Sequence, residues 1–175
     1  MNSPVTTTSE NFEFTPECES VCRAIQSSEL GRHLHQDDYR ELVTVLKKRE
    51  LQDGEVLVNE GDMNNTLFIL TEGVVNVCNS LNGLQETVYA MKIGECAGIR
   101  SFVEGTPRLA TLIARGAATV YTIAPADFEK LLETHPKQGY NLLRGMFRAL
   151  HLNLLRMNNE TRQLLNYISH TGGRY

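Results

Sequence analysis

Residues 94–111 of this chain have the composition of a turn that could hold a phosphate group. Gly94 and Gly98 open the stretch, and Arg108 follows a proline near its end. A tight turn exposes backbone N–H groups, which bind anions together with a well-placed guanidinium. We also place Arg108 at the start of a strand that begins at Ala110. The alternative is a surface turn in which the glycines serve backbone geometry alone and Arg108 is one exposed arginine among many.

Other arrangements that could do chemistry are weaker. No histidine occurs between residues 51 and 134, so that region lacks the usual ligands of a metal-dependent β-barrel enzyme. Cys18 and Cys22 with His33 and His35 do not have the spacing of a structural zinc site. No serine or cysteine is paired with a histidine in a nucleophile motif. We therefore predict no metal, no cofactor and no catalytic residue, and a protein that is not an enzyme.

Length and composition fit one globular domain with an appendage. The chain has 175 residues, of which 41% are apolar and 22% are charged, and its net charge is -4. An acidic balance argues against general affinity for nucleic acids or membranes. The first ten residues contain no apolar run, and no segment approaches the ~18–20 apolar residues of a membrane span. We expect a cytoplasmic protein with free thiols.

The chain divides into four regions, of which three precede residue 125. Residues 1–20 are polar and without pattern, which predicts a flexible tail. Helically spaced apolar residues such as Leu30 and Leu34 predict N-terminal helices within residues 21–50. In residues 51–124, β-prone runs separated by glycine turns occupy 56–58, 67–70, 74–78, 87–91, 110–114 and 118–123. Such spacing indicates a small barrel or sandwich.

Residues 125–170 predict two helices. Pro125 suits the first turn of one helix, and His135-Pro136 ends or bends it. Residues then recur in alternating steps of three and four, forming a heptad seam of Tyr140, Leu143, Phe147, Leu150, Leu154, Met157, Thr161, Leu164 and Ile168. Heptad spacing is typical of coiled coils. We therefore predict a parallel homodimer through the Tyr140–Ile168 helix; the alternative is a stripe that packs on the barrel of its own chain.

The order of these elements resembles a cyclic-nucleotide-binding domain, as in the catabolite-activator family and the regulatory subunits of cAMP-dependent protein kinase. The resemblance covers about residues 30–165 and rests on Asp53-Gly54-Glu55-Val56-Leu57, Glu60-Gly61-Asp62, Leu67-Phe68-Ile69-Leu70 with Glu72-Gly73, and residues 94–111. It implies a mainly β fold with flanking helices: a double-stranded β-helix, or jelly-roll β-barrel, with N-terminal helices and a long C-terminal helix. Residues 94–111 would be its phosphate-binding cassette.

The resemblance also implies a site. Its residues would be Gly98, Ile99, Arg100, Ser101, Arg108, Leu109 and Ala110. Arg108 would bind the phosphate, with backbone amides around it. The family's glutamate that accepts the ribose 2′-hydroxyl corresponds to Ile99, which has no acceptor. Because a hydrogen bond to a charged group is worth about 1.5–3 kcal/mol, we expect cAMP to bind about 10–100-fold more weakly than to an intact site. Arg100 either points to solvent or adds a second positive group.

The function implied is that of a regulatory, signal-sensing module without its own effector domain. Its ligand would be a cyclic nucleotide such as cAMP or cGMP, or another small anion, and an unidentified effector protein would read the bound state. The activator family places a DNA-reading domain after its long helix, whereas here the sequence reaches Tyr175 just past the seam. We expect no direct DNA or membrane binding. The alternative is a vestigial domain that has lost its ligand and serves as a protein-interaction scaffold.

Overall fold

Two antiparallel sheets of four strands form the centre of the protein. The computed structural model describes residues 16–26, 28, 30–31, 34, 36–81 and 84–171. The strands are β1 Lys47–Leu51, β2 Val56–Val58, β3 Leu67–Glu72, β4 Val75–Leu81, β5 Leu84–Met91, β6 Cys96–Ala97, β7 Thr111–Ala114 and β8 Ala118–Ile123. One sheet has the order β1-β8-β3-β6 and the other β2-β7-β4-β5.

Five helices flank the sheets in the described part of the chain. They are α1 Pro16–Gln26, α2 Gln36–Val45, α3 Ile99–Glu104, α4 Pro125–Thr134 and α5 Pro136–Thr171. Within the described residues, no helix has the length and apolar content that crossing a membrane requires. The two sheets and the long C-terminal helix confirm the predicted fold class, a mainly β jelly roll with flanking helices.

Strand β3 separates two hydrophobic cores. Successive side chains of a strand point to opposite faces of its sheet. Leu67 and Ile69 therefore pack among the helices, whereas Phe68 and Leu70 pack between the two sheets. Both faces of β3 are buried over residues 67–71, which explains the apolar run from Leu67 to Leu70.

The helical core holds the cassette helix α3 against the C-terminal helices. Ile99 and Phe102 of α3 belong to the same buried cluster as Leu142 and Met146 of α5. The ring of Phe102 also lies 5.5 Å from that of Phe128 in α4, measured between centroids, in a tilted arrangement. A change in the position of α3 would therefore be felt by both C-terminal helices.

Two predicted boundaries at the N-terminal side need correction. The predicted tail extended to residue 20, but α1 begins at Pro16 because Val21 and Ile25, one turn apart, bury its inner face; residues 1–15 lie outside the described residues. The helices predicted up to residue 50 end at Val45. Residues 47–51 instead form β1, which pairs with β8 along its whole length. Its first four side chains are exposed, so backbone pairing and not an apolar pattern defines this strand.

Candidate functional site

Arg108 lies in the turn between α3 and β7 and is anchored through its backbone. Its N–H donates to the carbonyl of Asp62 at 3.0 Å, and its carbonyl accepts from the N–H of Gly61 at 2.9 Å. The strand predicted from Ala110 begins at Thr111, so the arginine does not project from a strand as expected. The backbone hydrogen bonds to Asp62 and Gly61 hold Arg108 in place instead.

The guanidinium of Arg108 is buried and only partly hydrogen-bonded. The side chain is 4% exposed. Nη2 donates to Asn64 Oδ1 at 3.2 Å and to the carbonyl of Thr66, and the group lies 4.7 Å from the ring centroid of Phe68. Nε and Nη1 have no hydrogen-bond partner in the described part of the chain. Two of the three guanidinium nitrogen atoms are therefore buried without a hydrogen-bond partner.

The charge of Arg108 is buried and forms no ion pair with the described residues. Burial lowers the pKa of Arg108 to about 10, although the negative charge of Asp62 acts in the opposite direction. The group thus stays protonated near neutral pH. The ion pairs formed by the described residues do not include Arg108. A buried cation without an ion-pair partner is energetically unfavourable.

Gly98 is required by both its conformation and its neighbour. Its φ is 84°, in the left-handed region that L side chains rarely adopt. A Cβ atom at this position would overlap Nη1 of Arg108. Gly98 also ends the loop from which α3 starts, and its carbonyl accepts the N–H of Phe102 at 2.9 Å. The preceding N–H groups of the first turn lack helical partners, as at any helix start.

All seven predicted site residues line one cavity. The cavity has a volume of about 180 Å³, and its walls comprise Val58, Val77, Ala97, Gly98, Ile99, Arg100, Ser101, Arg108, Leu109, Ala110 and Leu112. The predicted site did not include the four lining residues that come from strands, which are Val58 of β2, Val77 of β4, Ala97 of β6 and Leu112 of β7. It also missed Asn64, Thr66 and Phe68, which position the guanidinium. Phe68 was identified only as part of the apolar run 67–70, and no motif marks Asn64 or Thr66, because the role of all three depends on β3 and the turn before it lying next to Arg108 in space.

Arg100, Leu109 and Ser101 occupy different positions at the cavity. Arg100 Nε forms an ion pair with Glu104 Oε2 at 2.9 Å, with 49% of the Arg100 side chain exposed, so of the two alternatives it takes the solvent side. Leu109 is 66% exposed and lies at the rim of the cavity. Ser101 is buried, and its Oγ lies 3.5 Å from the carbonyl oxygen of Pro107.

Most of the cysteine and histidine residues considered as metal ligands lie outside the described residues. The side chain of Cys18 and the residues His33 and His35 are outside the described residues. In the part of the chain that is described, no group of three or more histidine, cysteine, aspartate or glutamate residues could hold a metal ion.

The jelly roll, the glycine-headed cassette helix and the buried arginine place this protein among small-ligand-binding regulatory domains. The family model described as "Cyclic nucleotide-binding domain" matches residues 48–135, and the chain belongs to that family. A cAMP-dependent protein kinase regulatory subunit from Mycosarcoma maydis is 29% identical over 120 residues, a match that covers 62% of this chain and 22% of that subunit. The chain thus spans about a quarter of such curated relatives.

Solved structures agree with the fold. A cyclic nucleotide-binding domain from Methylobacillus flagellatus KT superposes with a TM-score of 0.73 at 21% identity, covering 86% of this chain and 84% of that chain. The regulatory domain of Toxoplasma gondii PKA, crystallised with cAMP, gives a TM-score of 0.59 at 19% identity over 76% of this chain and 57% of that chain. At these identities the similarity establishes the architecture alone.

Proposed function

We propose that this protein is a ligand-sensing regulatory module in which Arg108 binds a small anion. The observation that carries the proposal is the buried guanidinium with two unpartnered donors at the wall of a cavity. An anion in that cavity would supply the missing partners and neutralise the buried charge. Charge-assisted hydrogen bonds of this kind are among the stronger ones in proteins.

A cyclic nucleotide such as cAMP or cGMP is the ligand that family membership favours. One structural neighbour is described as bound to cAMP. In this chain Ile99 occupies the position of the family's ribose-binding glutamate, and its side chain offers no acceptor to a hydroxyl. We therefore propose that cAMP binds about 10–100-fold more weakly than to a site with the glutamate.

The bound state would be transmitted through α3. The anion would lie against the first turn of this helix, whose Phe102 contacts α4 and whose Ile99 packs in the cluster shared with α5. A ligand that binds one packing of these helices better than another shifts the equilibrium between them. An effector protein, still unidentified, would read that shift. A cytoplasmic location and the absence of catalytic activity and of direct DNA binding remain predictions from the sequence.

We also propose a parallel homodimer through α5. Seven seam residues have at least half of their surface exposed: Tyr140, Phe147, Leu150, Leu154, Met157, Leu164 and Ile168. A contiguous apolar stripe of this length is uncommon on a monomer. Its exposure supports pairing with a second α5 helix over packing against the barrel of the same chain.

A second candidate function is a scaffold that keeps the fold without a ligand. The cavity of about 180 Å³ favours it, because pockets for drug-sized ligands usually measure about 300–1,000 Å³. The scaffold would act through the α5 seam, and its Arg108 would be a remnant of the ancestral site.

Titration with cAMP and cGMP separates the two candidates. Ligand-induced stabilisation is measured by thermal unfolding for the wild type, for Arg108→Ala and for the matched control Arg115→Ala, which alters an exposed arginine in the same sheet region. Sensing predicts stabilisation of the wild type and of Arg115→Ala, at about 2.7 kcal/mol when the ligand is at a hundred times its Kd. It predicts none for Arg108→Ala. No stabilisation of any variant at millimolar ligand supports the scaffold.

A further inference from the structure

The cavity beside Arg108 is lined mainly by apolar residues, and its polar side chains are those of Arg100, Ser101 and Arg108. Val58 of β2, Val77 of β4 and Leu112 of β7 are among its lining residues, as is Ile99 of α3, which is 9% exposed. The described lining residues include no aspartate, glutamate, asparagine, glutamine or histidine. A ligand group other than the anion would therefore meet mainly hydrocarbon.

The two remaining polar side chains of the lining are directed elsewhere. Arg100 is paired with Glu104 on the exposed side of α3. The Ser101 hydroxyl lies within hydrogen-bond distance of the Pro107 carbonyl, at 3.5 Å. Arg108 is thus the single buried cation of the cavity, and its unpartnered Nε and Nη1 match one anionic group.

We propose that this cavity selects a small anion whose body is apolar, and that it discriminates against ligands bearing hydroxyl groups near the anion. The proposal rests on the proposed anion site and specifies its ligand class. A hydroxyl buried against Ile99 would lose its hydrogen bonds to water without gaining a protein partner, whereas a methylene in the same place would be removed from water favourably. The volume of about 180 Å³ suits an anionic group with a short aliphatic chain.

Propyl phosphate and glycerol 1-phosphate form a matched pair of probes. Both carry one phosphate group on a three-carbon chain, and they differ in two hydroxyl groups. Isothermal titration of the full chain is expected to give a Kd for propyl phosphate at least about tenfold below that for glycerol 1-phosphate. Arg108→Ala should abolish binding of both probes.

Ile99→Gln supplies the missing acceptor and should reduce the ratio of the two Kd values. Val103→Gln, on the same helix but 66% exposed and outside the lining of this cavity, is the control and should leave the ratio unchanged. Unfolding temperatures of both variants are measured alongside. If Ile99→Gln does not fold, the ratio measured on the wild type still decides the proposal.

The outcomes separate this proposal from the anion site on which it rests. Equal binding of both probes, or preference for glycerol 1-phosphate, with loss in Arg108→Ala would overturn the selection for an apolar body and leave the anion site standing. Arg108-dependent binding of cAMP with no binding of either small phosphate has the same meaning. Failure of cAMP, propyl phosphate and inorganic phosphate to bind would overturn both.

Discussion

Arg156 joins the middle of the long helix α5 to Glu95 in the turn before β6. Its Nη1 lies 2.9 Å from Glu95 Oε1, and both side chains are mostly buried. Arg156 also donates to the hydroxyl of Tyr89, and its guanidinium lies 3.8 Å from the centroid of that ring. From residue 157 to residue 170 the helix is exposed throughout. These contacts attach the middle of α5 to the β-sheets.

We expect Arg156→Ala to loosen this half of α5. The loss of a cation–π contact and a partly buried ion pair should lower the free energy of unfolding by about 1–2 kcal/mol. Amide hydrogen exchange should accelerate in α5 around residue 156. Arg162→Ala, an exposed arginine further along the same helix, is the control. Equal exchange in the two variants would show that Arg156 does not anchor the helix.

Because of the Tyr89 hydroxyl, the free energy of unfolding should depend on pH in the alkaline range. Burial, reinforced by the carboxylate of Glu95, raises the pKa of Tyr89 to about 12 from its ordinary value of 10.0. The folded protein therefore holds this proton more tightly than the unfolded chain. The stabilisation is fully present below pH 10 and is lost between about pH 10 and pH 12.

Denaturant unfolding of the wild type and Tyr89→Phe across this range tests the linkage. The lowered pKa of Arg108 acts oppositely there, because the unfolded chain then binds more protons at that residue. The difference between the two proteins isolates Tyr89, since both contain Arg108. The wild type should lose stability relative to Tyr89→Phe as the pH rises. A constant difference would contradict the assignment.

Gly98→Ala should displace the guanidinium of Arg108. The new Cβ would overlap Nη1 and would sit on a backbone with a positive φ of 84°. We expect a destabilisation of about 1–3 kcal/mol and loss of anion binding. Gly116→Ala is the matched control, because its φ of 75° imposes similar strain while nothing lies within 4 Å of its Cβ position. Retained anion binding in Gly98→Ala would show that the close approach of the two residues is not needed.

Leu154→Asp should dissociate the proposed dimer. Leu154 is a seam residue, 55% exposed, and its neighbour Leu155 is 45% exposed but lies about 100° around the helix. Sedimentation velocity at micromolar concentration should show a dimer for the wild type and for Leu155→Asp, and a monomer for Leu154→Asp. A wild-type monomer under these conditions would end the seam hypothesis.

The sequence predicted those parts of the fold that depend on local pattern. The runs 56–58 and 118–123 coincide with β2 and β8 because glycine turns and β-branched residues mark their ends. Strand β1 escaped prediction, since its charged residues are held by pairing with β8 and not by burial. Strand β6 has only two residues, too few for any periodicity to show.

The candidate site shows the same division. Gly98 and Arg108 could be identified from their types and spacing. The partners of Arg108, which are Asn64, Thr66 and Phe68, lie forty or more residues away in sequence, and the jelly-roll topology brings them next to it. The partner of Arg100 is local, because Glu104 lies four residues later on the same helix. The partners of Arg108 became visible only with the tertiary structure in place.

Arg108→Met removes the buried charge that we propose to bind an anion and replaces it with an apolar side chain. Unfolding free energies of the wild type and Arg108→Met are measured in sodium chloride and in sodium phosphate at matched ionic strength. In chloride the variant should be as stable as the wild type, or more stable by about 1 kcal/mol, because an unpaired buried cation is replaced by an apolar chain. Phosphate should stabilise the wild type alone. A variant that is several kcal/mol less stable in chloride, or that gains as much from phosphate as the wild type does, would contradict the account.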